Sequence, residues 1–336
     1  MGLYVLVTII GFALLGCYFL EENHFKMHKK FNKNIIAIVI MLLVVFSGTA
    51  CGNIQVFNQG EGASPQKDSK QGEHILDNSG KELKVHFIDV GQADSILVQL
   101  GDAAMLVDGG NNEDGTIVKQ YLKKNNVTKL DYVVGTHAHE DHIGGLDEVI
   151  KSFEVSKVYF PKQTANTVTF KDFVNAVKNK GLSFTEPKVG DKFKLGDAEC
   201  TIIAPKSKTY EDANDYSIIL KITYGNTSFL LTGDAEAKSE KEIVSGGMDI
   251  SAQVLKVGHH GSSTSTSQAF LDKVNPKYAV ISVGKDNNYG HPAQSTLKKL
   301  SNKGIKVYRT DESGNIIAIS DGVNISFKTE TSFTPK

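Results

Sequence analysis

The chain has 336 residues, and its 37 Lys and Arg nearly match its 38 Asp and Glu, for a formal net charge of −1. That balance argues neither for nor against nucleic acid, because a local basic groove would not show in the total. The three cysteines, Cys17, Cys51 and Cys200, lack C-x-x-C spacing, which argues against a cysteine zinc site or a disulfide framework.

Two apolar stretches open the chain, at 3–20 and 35–46. The second follows Lys26, His28, Lys29, Lys30 and Lys33 and ends in the small residues 47–52. A basic region, a short apolar core and a small-residue cleavage site make a secretory signal. The cysteine at its boundary resembles that of a bacterial lipoprotein, with Cys51 as the lipidated first mature residue, although Gly48 stands where a leucine-like residue is usual. Met27 is a conventional start for such a signal, so residues 1–26 read as an upstream extension. The alternative is a two-helix membrane hairpin, for which 35–46 is short. Residues 1–51 are thus expected to direct export and to hold the chain at the extracellular face of the cell membrane, by a lipid or an apolar segment. Residues 52–82, polar and rich in Gly, Ser, Gln and Lys, read as a flexible linker. Residues 83–330 read as one domain.

Within that domain, strands are expected at 83–90, 95–100 and 104–107, joined by connections short enough for antiparallel pairing. A helix at 116–124 and a strand at 132–134 follow, then a helix at 144–151 with Leu146, Val149 and Ile150 as its apolar face. Next come a strand at 157–161, a helix at 170–180 stopped by Gly181, strands at 193–195 and 198–204, and a hairpin of 217–223 with 228–231. Helices at 236–244, 266–274 and 295–302 alternate with strands at 253–257, 278–283 and 306–308, and strands at 316–319 and 323–327 close the chain. Hairpins interleaved with helices in both halves predict two sheets packed face to face with helices outside. Cys200, in an apolar strand, reads as a buried thiol.

Four strands end in glycine with acid or histidine: at Asp108-Gly109-Gly110, Thr136-His137, Gly233-Asp234 and Gly258-His259-His260. Polar residues at strand ends can gather at one edge of a sheet while the strands form the core. The densest is His137-Ala138-His139-Glu140-Asp141-His142, three histidines and two carboxylates in six residues. Residues two apart point the same way in an extended turn, so His137 and His139 can converge on one ion, while Asp141 and His142 reach a second. Imidazole nitrogen and carboxylate oxygen suit Zn and similar divalent metals.

The segments 136–145, 232–234 and 259–262 resemble the metallo-β-lactamase superfamily. With 86–92, 229–234 and Tyr289-Gly290-His291-Pro292, the chain is similar more narrowly to the metallo-hydrolase domain of ComEC-type DNA-uptake proteins. The resemblance covers about 83–328 and implies an α+β fold, an αββα four-layer sandwich of two mixed β-sheets flanked by helices, with the metals at the sheet rim. It implies two divalent metal ions, Zn2+ or Mn2+. His137 and His139 bind the first, Asp141 and His142 the second, and Asp234 bridges them. One of His259 and His260, with His259 favoured, completes the second, and Asp108 orients a histidine ligand. The superfamily usually carries another histidine on the first ion, and none lies between His142 and His259. Asp215 is the candidate oxygen substitute, which favours Mn over Zn. Ala93 stands where the subgroup generally has glycine.

A metal-activated water would attack phosphorus or carbonyl carbon, with Asp141 orienting it and Asp234 and His291 in the catalytic set. Ser262, with Ser263 and Ser265, either holds a phosphate or belongs to a helix cap, with Ser265 preceding the helix. Asp89 and Asp94 read as structural loop carboxylates and His86 as a strand-surface residue. Scattered lysines such as Lys84, Lys124 and Lys129 read as a solvated face. The expected function is an extracytoplasmic phosphodiesterase or nuclease acting on a nucleic-acid substrate. The alternatives are a hydrolase of a carbonyl substrate (a β-lactam, lactone or thioester) and a non-catalytic metal-binding surface protein.

Overall fold

The computed structural model describes residues 81–332. The expected signal, the Cys51 anchor and nearly all of the linker lie outside the described residues. The first half runs β1 (Leu83–Phe87), β2 (Ile96–Leu100), β3 (Ala103–Val107), α1 (Gly115–Lys124), β4 (Lys129–Val134), α2 (Glu140–Ile143), α3 (Leu146–Ser152), β5 (Glu154–Tyr159), α4 (Val168–Asn179) and β6 (Phe184–Thr185). The second begins with β7 (Lys192–Leu195), β8 (Ala198–Ala204), β9 (Ile219–Tyr224), β10 (Thr227–Leu231), α5 (Ala237–Ser245) and β11 (Val254–Lys256). It continues with α6 (Gln268–Val274), β12 (Tyr278–Ile281), α7 (Gln294–Asn302), β13 (Lys306–Arg309), α8 (Thr310–Ser313), β14 (Asn315–Ser320) and β15 (Ile325–Glu330).

These strands form an eight-stranded sheet in the order β15-β14-β1-β2-β3-β4-β5-β6 and a seven-stranded sheet in the order β13-β12-β11-β10-β9-β8-β7. The chain's last two strands return to the first sheet beside β1, so the halves are not sequential copies. Period-two alternation sorts each strand between two cores. Leu83, Val85 and Phe87 of β1 and Phe229 and Leu231 of β10 face each other between the sheets. Leu97 and Leu106 point outward to meet Val118 and Tyr121 of α1 and Val149 of α3. Leu230 and Leu255 point outward on the other side against Ile243, Phe270 and Leu271 of α5 and α6. Strands apolar on both faces require cover on both, and the result is the expected αββα sandwich. Fully burying a side chain such as Phe87 or Phe229 contributes about 1.5–3 kcal/mol.

The outer helices explain two departures from the sequence reading. His86 is buried rather than on a strand surface, because α1 covers that face and Tyr121 Oη lies 3.0 Å from His86 Nδ1. The helix expected from 266 starts at Gln268. Its cap is Ser267, whose Oγ accepts the Phe270 N–H, whereas Ser265 Oγ donates to the Gly258 carbonyl at 2.7 Å.

Both sheets change from antiparallel to parallel pairing near their middle. β3 pairs in parallel with β4, and β10 in parallel with β11. Parallel neighbours bring their carboxyl ends to one edge, which is where α/β sheets place ligands. The Ile218 N–H donates to the Thr136 carbonyl at 3.0 Å and ties the two sheets together at that edge.

Candidate metal centre

Each polar strand end expected to carry chemistry arrives at this edge. His139 is the extended residue before α2, so Asp141 and His142 fall in a helical turn directly after it. Asp234 follows Gly233, whose φ of 51° turns the chain inward after β10. His259 and His260 follow β11 and both have positive φ, 48° and 50°. Two successive left-handed residues reverse the chain sharply, a conformation that costs non-glycine residues and recurs at functional sites.

Four residues converge: Asp141, His142, Asp234 and His260 each offer one donor atom, and these atoms all lie within 4.8 Å of one another. His142 Nε2 stands 3.2 Å from Asp234 Oδ2 and 3.7 Å from Asp141 Oδ2. His260 Nε2 stands 3.2 Å from Asp141 Oδ2 and 3.5 Å from Asp234 Oδ2. Ligands about 2.0–2.2 Å from a tetrahedral ion stand roughly 3.3–3.6 Å apart, so these spacings fit one coordination sphere. His137 and His139 form the adjoining pair, with His137 Nε2 3.0 Å from His139 Nδ1 and the His137 ring centre 4.2 Å from that of His142.

The electrostatics favour a cation. Burial opposes charge on His142, but Asp234, Asp141 and Asp108 outweigh it and raise its pKa well above the usual histidine value. Burial likewise opposes charge on Asp234, and the facing His142 and His260 nonetheless hold its carboxyl well below the carboxylate range. His137, buried and beside His142, is held well below the usual value, which favours the neutral ring that a metal needs. His142 Nε2 and Asp234 Oδ1 are buried without a hydrogen-bond partner. Orphaned buried polar atoms are costly unless something satisfies them, and a divalent ion would satisfy both.

Asp108 supports the centre from beneath. Its Oδ2 accepts from His142 Nδ1 at 2.8 Å and from Thr136 Oγ1 at 2.8 Å, while Oδ1 accepts the Thr136 N–H at 2.8 Å. That contact leaves Nε2 of His142 as the ligating nitrogen.

Other expected residues fall differently. His260, not the favoured His259, joins the four-donor group, because its Nδ1 is fixed on the Ser282 carbonyl at 2.9 Å and turns Nε2 inward. His259 lies at the rim, with Nδ1 2.8 Å from Glu236 Oε1 and Nε2 3.7 Å from Asp234 Oδ2. Asp215 is not brought into the group. Its Oδ1 accepts the N–H groups of Glu236 and Ser239 at 3.2 and 3.0 Å, so it caps α5. The oxygens beside His137 Nδ1 are instead Thr136 Oγ1, at 3.1 Å, and Ser217 Oγ, at 3.4 Å. Ser262 lies in a turn, where its Oγ stands 2.9 Å from Thr264 Oγ1. His291 flanks His259, with ring centres 5.5 Å apart.

The sequence reading missed two residues. Glu236 holds His259 and also accepts from Thr264 Oγ1 at 2.8 Å; an acid two residues after Asp234 was its only trace. Lys256 is fully buried, and its ammonium pairs with Asp94 Oδ2 at 2.9 Å. Asp94 Oδ1 in turn lies 3.5 Å from His260 Nδ1. A lysine inside the apolar run of β11 was the visible signal. Lys84, Lys124 and Lys129 gather at the opposite strand ends and each pairs with an acid, Glu82, Glu330 and Asp131.

A fold of two mixed sheets with a His/Asp cluster at their shared edge defines a class of metallo-hydrolases, and comparison with known families agrees. The family described as "Metallo-beta-lactamase superfamily" matches residues 88–285. This chain belongs to the metallo-β-lactamase superfamily. It is 32% identical over 255 residues to ComE operon protein 3 of Bacillus subtilis (strain 168), covering 70% of this chain and 33% of that protein. It is 30% identical to competence protein ComA of Neisseria gonorrhoeae, covering 69% of this chain and 32% of that protein. It is 29% identical to recombination protein 2 of Haemophilus influenzae, covering 69% of this chain and 28% of that protein. The chain therefore spans about a third of the length of the curated relatives it matches.

Proposed function

We propose that this chain is an exported, metal-dependent phosphodiesterase that cleaves nucleic acid. The observation that carries the reading is the convergence of Asp141, His142, Asp234 and His260 at the sheet edge, with His137 and His139 beside them. The phosphodiester substrate rests on kinship with proteins named for competence and recombination. When bound, two divalent ions, Zn2+ or Mn2+, lower the pKa of a water and neutralise charge on the scissile group.

The chain's own residues supply the rest. His137 and His139 hold one side of the centre, while Asp141, His142, Asp234 and His260 hold the other. Asp108 fixes the ring of His142. The Asp141 side chain is 31% exposed, against 2% for Asp234, so it is the carboxylate able to orient an entering water. His291 stands at the rim beside His259, placed to meet a phosphate oxygen, while its Nδ1 is enclosed without a hydrogen-bond partner. No serine or cysteine nucleophile is needed.

The test is a panel of single-stranded oligonucleotide, bis-p-nitrophenyl phosphate and a chromogenic cephalosporin, offered to the Mn2+- and Zn2+-loaded protein. Phosphodiester cleavage lost on His139→Ala and Asp234→Ala is expected. Turnover of the cephalosporin alone would overturn the proposal. Residues 1–51 serve in this reading as the export signal with Cys51 as a lipid anchor, 52–82 as the linker and 83–330 as the hydrolase domain. Palmitate labelling lost on Cys51→Ala tests the anchor.

A further inference from the structure

Tyr289 is 72% exposed, which is unusual for so large an apolar ring. Its placement is not loose. Asn287 clamps the loop that carries it, accepting the N–H groups of Tyr289 and His291 at its Oδ1, each at 3.1 Å. The same side chain donates through Nδ2 to the carbonyls of Gly284 and His291 at 3.0 and 2.6 Å. The loop is also seated on the histidine turn. The Ala293 N–H donates to the Gly261 carbonyl at 2.9 Å, and Pro292 lies so close to Gly261 that a Cβ there would meet it at 2.6 Å.

A row of rings results. Tyr289 stacks on His291 with centres 5.8 Å apart and planes at 26°. His291 meets His259 edge to face at 5.5 Å, and His259 Nε2 lies 3.7 Å from Asp234 Oδ2. One face of Tyr289 is thus occupied by His291, while the ring as a whole stays open to solvent.

We infer that Tyr289 is a nucleobase platform, so that the substrate is a single strand with a base stacked on this ring while its neighbouring phosphodiester lies over the metal centre. The inference deepens the phosphodiesterase reading and rests on it for the position of the phosphodiester. An exposed, preorganised aromatic face stacks any base, because every base has a π-face. A paired duplex would offer no free base to it. His291, between platform and centre, is left to contact the phosphate.

The test separates base from backbone. Binding of the metal-loaded full chain to a short phosphorothioate oligothymidylate and to an abasic strand of the same length is measured by fluorescence anisotropy. The wild type is expected to prefer the strand with bases by about ten-fold, the scale of one stacking contact. Tyr289→Ala is expected to abolish that preference, and Tyr289→Trp to retain it. Equal binding of the two strands by the wild type, no binding of either, or a preference that survives Tyr289→Ala overturns the inference. Cleavage of the ordinary oligothymidylate is scored separately. A Tyr289-dependent preference without cleavage leaves the platform standing and removes the phosphodiesterase reading.

Discussion

Asp108 Oδ2 stands 2.8 Å from His142 Nδ1, and both side chains are enclosed, 1% and 0% exposed. The carboxylate fixes both the ring orientation and the nitrogen that faces the centre. Asp108→Ala is therefore expected to lower divalent-metal affinity about 10–100-fold, the usual cost of losing such a partner. Competition against a chelator measures it; an unchanged affinity would show that the contact does not tune the ligand.

His259 and His260 are adjacent in sequence but differ in place, one at the rim and one buried among the donors. His260→Ala should release more bound metal than His259→Ala, read as metal equivalents per chain after dialysis. Equal losses would mean that both rings ligate.

Asp215 caps α5 through the N–H groups of Glu236 and Ser239. Asp215→Ala is expected to cost about 1 kcal/mol of stability, typical of a lost cap, without changing metal stoichiometry. Urea unfolding and metal analysis on one preparation decide it, and a lost equivalent would restore Asp215 as a ligand.

Lys256 and Asp94 form an ion pair closed off from solvent, at 0% and 1% exposure. Removing one partner leaves the other charged and unpaired, so Lys256→Met should destabilise by about 3–5 kcal/mol. Adding Asp94→Asn should recover part of that loss in a double-mutant cycle; strictly additive losses would rule out coupling.

Burial lowers the His86 pKa from 6.5 to about 4, helped by nearby Lys84. The folded state therefore binds the proton less readily than the unfolded chain. Stability from this group is full above the unfolded value, falls as pH drops from 6.5 toward 4, and amounts to about 3 kcal/mol. In His86→Gln the decline of Tm over that window should be shallower. Parallel curves for the two proteins would assign the acid sensitivity elsewhere.

The sandwich and much of its centre were legible in the linear chain. Apolar residues on both faces of β2, β3, β10 and β12 demand two covered sheets, and histidine and aspartate at strand ends place polar chemistry at one edge. The cluster from His137 to His142 is local, so spacing alone announces it. Tertiary structure decided what spacing could not. His259 and His260 differ by one position, and only the two left-handed backbone angles and the Ser282 carbonyl determine which ring turns inward. Asp215 sits near the expected sequence position, yet its carboxylate is taken by the start of α5. Lys256 finds Asp94 across more than 150 residues, and Tyr289 reaches the rim because Asn287 and Pro292 hold its loop there. Residue types and periodicity are written along the chain. Which atoms face each other depends on backbone angles and on partners distant in sequence, and those exist only once the two sheets have packed.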